Sequence, residues 1–148
     1  MEQICAEAGV ARSTFYTHFA DKDDLKRHGL DSLGAALRAH RAQSGGAPFR
    51  FCEALFRHAQ THHEHLCALA GGRGETVSRA QLMALLTEVV CEDLISLGTR
   101  ADLRPRAAMA VGALMALFDE WLADGARRAP EEMAALFRTV AQEGFAPP

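Results

Sequence analysis

Several things this sequence does without narrow what it can be. β-Branched residues are scarce and no stretch alternates with the period of two that a half-buried strand requires, which excludes a sheet-based fold. No apolar run approaches the roughly 18 to 20 residues of a membrane-spanning helix. Cysteine is sparse: Cys5, Cys52, Cys67 and Cys91 stand far apart with no CxxC pair, so free thiols are expected rather than a disulfide framework. The opening MEQICAEAG has no basic segment followed by an apolar stretch, so a secretory signal is absent and a cytoplasmic protein is the default expectation. Lysine is confined to Lys22 and Lys26, and every other basic side chain in the sequence apart from histidine is arginine. With a formal net charge of -3, the chain as a whole is not a basic nucleic-acid binder.

What is present is helical. The 148 residues are 49% hydrophobic and 24% charged, and a chain of this length buries about 70% of its unfolded surface without a disulfide or metal staple. Alanine and leucine dominate. Breaks fall at Gly9-Val10, at Ala20-Asp21, at residues 43–48, 71–74 and 98–102, and at Arg127-Arg128-Ala129-Pro130. Between them the pattern predicts seven helices, roughly 2–8, 12–19, 22–42, 48–70, 76–97, 105–126 and 130–143. Asp21 can cap the third, with Asp24 in a capping-box position. Pro48, Pro105 and Pro130 sit where proline belongs, in a first helical turn. The expected fold class is all-α: a helix-turn-helix segment followed by an antiparallel helical bundle.

The first two helices are too short to stand alone and need tertiary partners. Their spacing suggests a helix-turn-helix, with Gly9 supplying the positive φ that ends the first helix and Val10 buried in the turn. Phe15 and Phe19, four apart, give the second helix an inner face. Arg12, Ser13, Thr14, Tyr16, Thr17 and His18 are left on or near the outer face, with Lys22 following. Such a face suits a DNA groove: hydroxyls and an arginine can reach base edges, while Tyr16 and Lys22 can hold phosphates on either side.

The string ICAEAGVARSTFYTHFADKDDL closely resembles the DNA-reading half of the TetR/AcrR family of bacterial repressors. The match runs through Ile4, Ala8, Gly9, Val10, Thr14, Phe15, Tyr16, His18, Phe19, Lys22, Asp23 and Leu25. The resemblance implies that Arg12 through His18 form the recognition helix, that Thr14, Tyr16 and Lys22 contact phosphates, and that Arg12, Ser13 and Thr17 read bases. The chain departs from the family in two ways. Ala11 stands where the family often has Ser or Thr, costing the recognition helix its best N-cap, a loss on the order of 1 kcal/mol. The family's first DNA-domain helix is also expected before Met1. We therefore expect a start codon misplaced inside the motif, Met1 standing where the family often has Val. Residues 1–41 carry six Lys/Arg against six Asp/Glu, a balance poor for a stand-alone DNA binder. The expected division is 1–41 for the incomplete DNA-binding segment with its connecting helix, and 42–148 for a ligand-binding and dimerisation domain.

In that second part the apolar stripes read Phe49, Cys52, Leu55, Phe56, Ala59 and Leu66, then Leu82, Leu85, Leu86, Val89 and Val90 with Glu88, Glu92 and Asp93 near the edges. A third runs Met109, Gly112, Ala113, Ala116, Leu117, Phe118, Trp121 and Leu122, and the last helix offers Met133, Leu136, Phe137 and Val140. Ala108, Gly112 and Ala116 fall four apart, a line of small residues that admits a close neighbour. The stretch from Arg106 to Phe145 is also similar to the family, whose last two helices pair with their copies, so the resemblance implies a homodimer through Ala108, Gly112, Ala116, Trp121, Met133 and Phe137. It further implies an effector pocket inside the body, lined by Phe56, His62, His63, Met83, Leu86, Val90 and Phe118. Mostly apolar residues with a few polar groups suit a small hydrophobic or amphipathic molecule.

Two further chemistries were weighed. His58, His62 and His65 share a helical face at i, i+4 and i+7 with Cys67 nearby, the spacing by which a helix can hold a transition metal. No second ligand motif accompanies them, so a surface or pocket-edge role is preferred and no metal or cofactor is expected. Enzyme chemistry lacks its marks: no Ser-His-Asp spacing, HExxH or paired catalytic carboxylates stand out, and Gly71-Gly72-Arg73-Gly74 follows a helix, not a strand. The reading is a ligand-responsive transcriptional regulator with double-stranded DNA, a small effector and its own copy as partners, and no membrane. The alternative is a dimeric ligand-binding module whose DNA binding is lost with the first helix.

Overall fold

The computed structural model describes residues 5–6, 9, 11–62 and 75–144, with only the backbone described for Arg12, Lys22 and residues 75–78. The described residues contain helices and turns and no strand, as the composition requires. The helices are α1 (Arg12–His18), α2 (Lys22–Gln43), α3 (Phe51–Thr61), α4 (Glu75–Ser96), α5 (Leu103–Ala123) and α6 (Pro130–Gly144). Cys5 and Ala6 are helical, and the rest of the expected 2–8 helix lies outside the described residues apart from them. No helix among the described residues is long and apolar enough to cross a membrane.

Helix ends follow from local chemistry. The Asp24 N–H donates to Asp21 Oδ1 at 2.8 Å, and Asp24 Oδ2 accepts from the Ala20 N–H at 3.0 Å, so the expected capping pair opens α2, reaching back one residue beyond the cap itself. α4 ends when Gly98 takes a φ of 88°, letting the Thr99 N–H reach Leu94 O at 2.9 Å and the Gly98 N–H reach Ile95 O at 3.0 Å. This closes the last carbonyls in a Schellman turn. α5 ends the same way at Gly125. Pro105 and Pro130 both occupy first helical turns.

The helix expected over 48–70 is different. It begins only at Phe51, and residues 63–70 lie outside the described residues. Pro48 is in a turn, not a first helical turn, and Phe49 is held at a φ of 58°, a region that disfavours bulky side chains. The cause is tertiary: the Phe49 N–H donates to Asp93 Oδ2 of α4 at 2.8 Å, and the Phe49 ring is fully buried, edge-on to Phe137 at 5.9 Å. Burying the ring and satisfying the N–H offset the strained backbone.

The chain divides into two compact units, residues 1–33 and 34–148. The break falls inside α2, ahead of the 41/42 boundary expected from the sequence, because α2 from Gly34 onward is packed on α4. A methyl group added at Gly34 would stand 2.9 Å from Leu85 Cδ1, so the glycine allows the close approach. Further along, Arg38 Nε bonds Glu92 Oε1 at 3.1 Å and its Nη2 lies 3.7 Å from Glu88 Oε2. In this second unit α3 packs chiefly on α6, and α4 on α5. Its core is Leu37, Phe49, Phe51, Cys52, Leu55, Phe56, Leu86, Val89, Val90, Leu94, Leu114 and Phe118, with Trp121 closing it. The Trp121 Nε1–H donates to Arg128 O at 3.0 Å and pins the loop before α6.

One stripe expected from the sequence is turned outward. Met109, Gly112, Ala113 and Ala116 are exposed, and α5 instead buries Ala107, Ala110, Val111, Leu114, Met115, Phe118 and Trp121. α5 is apolar almost all round, so periodicity alone could not choose its inner face.

Asp93, expected near the edge of a stripe, is fully buried, with Arg41 of α2 paired to its Oδ1 and Phe49 N–H on its Oδ2. Replacing it with alanine leaves the buried Phe49 N–H without its acceptor and takes from Arg41 its buried carboxylate, with only Glu92 remaining. Asp93→Ala should therefore cost about 3–5 kcal/mol of stability in urea unfolding, and Asp93→Asn, which keeps an acceptor for Phe49, should cost less.

Candidate nucleic-acid interface

α1 is a two-turn helix whose burial runs through Phe15. That ring is buried, 5.4 Å from Tyr16 in an edge contact and 5.4 Å from Phe19, and Phe19 in turn meets His28 of α2 at 5.7 Å. Gly9 has the positive φ, 64°, that the turn before α1 was expected to need. Ala11 precedes the helix in an extended conformation and, having no side-chain acceptor, provides no cap hydrogen bond.

With Phe15 fixing the inner side, Ser13, Thr14, Thr17 and His18 are exposed, and Tyr16 is 53% exposed despite its size. The Thr17 hydroxyl donates to Ser13 O at 2.9 Å, so its proton is engaged within the helix. Arg12 and Lys22 flank this face by sequence, their side chains outside what the structure describes. Asp23 and Asp24 pair locally with Lys26 and Arg27, at 3.6 and 3.5 Å. These surface contacts are worth little individually.

The residues expected to line an effector site divide. Phe56, Leu86, Val90 and Phe118 are each buried, with the Phe56 and Phe118 rings 5.7 Å apart and Trp121 edge-on to Phe56 at 5.2 Å. Met83 is half-buried and His62 exposed, while His63 lies outside the described residues. The residues expected at a dimer interface also divide. Ala108, Gly112 and Ala116 are exposed, but Trp121, Met133 and Phe137 belong to the chain's own core. Large apolar side chains are also exposed: Met109 on α5 at 57%, and on α6 Leu136 at 42% and Val140 at 52%.

The His58 and His62 rings lie 4.6 Å apart, tilted by 52°. Partial burial of the His58 ring, and then the neighbouring His62, hold His58 below the ordinary histidine range. Among the described residues no group of three or more His, Cys, Asp or Glu is placed to hold a metal ion, and His65 and Cys67 lie outside them. The Cys52 thiol is pushed well up by burial and then by the charge of Asp93, which makes it an inert core group. Cys5 is buried and Cys91 half-buried.

The family profile described as "Bacterial regulatory proteins, tetR family" matches residues 1–28, the segment that carries α1 and its exposed face. No curated protein and no solved structure matches the chain. A helix-turn-helix segment of this family on an all-helical chain defines a DNA-binding transcriptional regulator. The match covers the front segment and supports a DNA-binding regulator of that kind.

The His58 shift has a pH consequence. Its neutral form is favoured in the fold, so stability is lost as pH falls below the ordinary histidine value of 6.5 toward the depressed folded value. His58→Gln should remove part of that loss. Urea midpoints compared between neutral and mildly acid pH check it, and an unchanged pH slope in the variant contradicts it.

Proposed function

We propose that the chain is a ligand-responsive repressor, acting as a homodimer and released from its operator by a small hydrophobic molecule. The observation that carries the reading is the outer face of α1: exposed Ser13, Thr14, Tyr16, Thr17 and His18 above a buried Phe15, within the segment that matches the tetR family. The resemblance assigns phosphate contacts to Thr14, Tyr16 and Lys22 and base contacts to Arg12, Ser13 and Thr17. His18 completes the face at its last turn.

Two features of the body support the rest. The apolar faces of α3, α4 and α5 bury Phe56, Leu86, Val90 and Phe118, with Met83 half-buried on α4 and His62 and His63 as polar candidates. This is the composition expected of a site for a small apolar or amphipathic effector. The line Ala108, Gly112 and Ala116 lies open on α5, and large apolar side chains stay exposed on α5 at Met109 and on α6 at Leu136 and Val140. A second copy covering those faces would remove that surface from water, and the small residues would let its helices approach.

The test of DNA recognition is a gel shift on sequences selected from a random pool. Lys22→Ala should weaken binding to all of them alike and reduce the salt slope by about 1, while Arg12→Ala should cost about 1–3 kcal/mol and relax preference at one position. No selected sequence, or no effect of either change, contradicts the reading. Dimerisation is tested at Gly112, where an added side chain meets nothing within 4 Å in the single chain. Gly112→Glu should leave helical content unchanged and convert a dimer to a monomer in sedimentation equilibrium.

A further inference from the structure

Asp93 serves none of the contacts just proposed, yet it is the most deeply buried charged group described in the second unit. Its two oxygens face different elements. Oδ2 accepts the Phe49 N–H, and Oδ1 meets Arg41 Nε in the last turn of α2. That second contact is close, and it is the ion pair that engages both of these buried atoms. Arg41 has another partner at hand, since its Nη1 lies 3.5 Å from Glu92 Oε2, a partly exposed carboxylate next to Asp93 on α4. One guanidinium thus stands between a buried carboxylate and a solvated one.

The position of Asp93 in α4 gives this arrangement a direction. Leu86, Val90 and Asp93 are spaced i, i+4 and i+7, and all three are buried, so they lie on one face of the helix. Leu86 and Val90 are effector-lining candidates under the proposed function, on which this inference rests. α2, at the other side of the ion pair, runs without a break from Lys22, just past the recognition helix, to Gln43.

We propose that Asp93 is a positioning residue: through Arg41 it fixes the last turns of α2 to the effector-facing side of α4, and transfer of Arg41 from Asp93 to Glu92 loosens that hold. Burial pushes the Asp93 carboxyl upward, and the Phe49 N–H and Arg41 only partly offset it. Around it stand Arg41 from α2, Cys52 from α3 and Glu92 on α4 itself, with Arg138 of α6 near enough to act on the same Cys52 thiol.

The test is amide hydrogen exchange on the full chain, read at residues 38–43 and 50–52 as a ratio to the slowest amides of α5. Asp93→Asn should raise that ratio about tenfold, and Arg41→Lys, which keeps the charge and loses the planar fork, should do the same. Leu114→Ala, a core truncation away from the ion pair, should lower overall stability and leave the ratio at the wild-type value. Asp93→Asn combined with Glu92→Gln should exceed Asp93→Asn alone, because Arg41 then lacks both partners. A ratio that stays at the wild-type value in Arg41→Lys, or that rises equally in Leu114→Ala, overturns the proposal, whether or not Asp93→Asn folds. Exchange needs neither operator nor effector, so failure of the regulator reading would show separately, in the gel shift.

Discussion

The buried carboxylate of Asp93 is the constraint from which much of the second unit follows. Taking a charge out of water is expensive, and it persists only where partners are supplied from several directions. Here they come from the last turn of α2 and from the backbone of Phe49. Meeting that demand delays the start of α3 to Phe51 and holds Phe49 at a positive φ. It also carries the Phe49 ring inward against Phe137. Neighbouring charges extend the contact toward solvent: Arg38 and Arg41 share Glu92, and Arg38 also meets Glu88. These outer pairs are partly exposed and contribute modestly, so the energetic weight lies with the buried member.

Around this anchor the two sides of the second unit are assembled differently. α3 and α6 meet through Phe49 and Phe137 and are joined at the surface by Arg57, whose Nη2 lies 2.8 Å from both Glu53 and Glu131. α4 packs on α5, with Arg79 placing two hydrogen bonds on Asp119 at 3.0 and 2.6 Å. The aromatic group Phe56, Phe118 and Trp121 joins α3 to α5. The proposed effector site and the core are therefore the same set of side chains.

Much of the fold was legible. Glycine and proline marked the turns because only they meet the backbone demands there, as Gly98, Gly125 and Pro130 show. Phe15 and Phe19 identified the inner side of α1 because a two-turn helix has few ways to be amphipathic. The same reasoning failed on α5, which is apolar almost all round: the stripe through Met109 and Ala113 lies outside, while Gly112 and Ala116, which the family resemblance gives to a dimer face, are exposed. It failed again on Trp121, Met133 and Phe137, assigned to a dimer surface but used by the chain's own core. Asp93 did leave a trace, a charged residue in register with Leu86 and Val90, that helical spacing alone should have brought forward.

Sequence by itself determined that this chain is helical, where most helices begin and end, and that its front carries the recognition segment of the tetR family. Those properties depend on residues close together in the chain: caps, turns, and a short motif whose order is its meaning. Only the tertiary structure decided which face of α5 is buried, that Phe49 takes a strained conformation, and that Asp93 is paired with Arg41. Each of these depends on a partner dozens of residues away, and local propensity carries no record of which partner arrives.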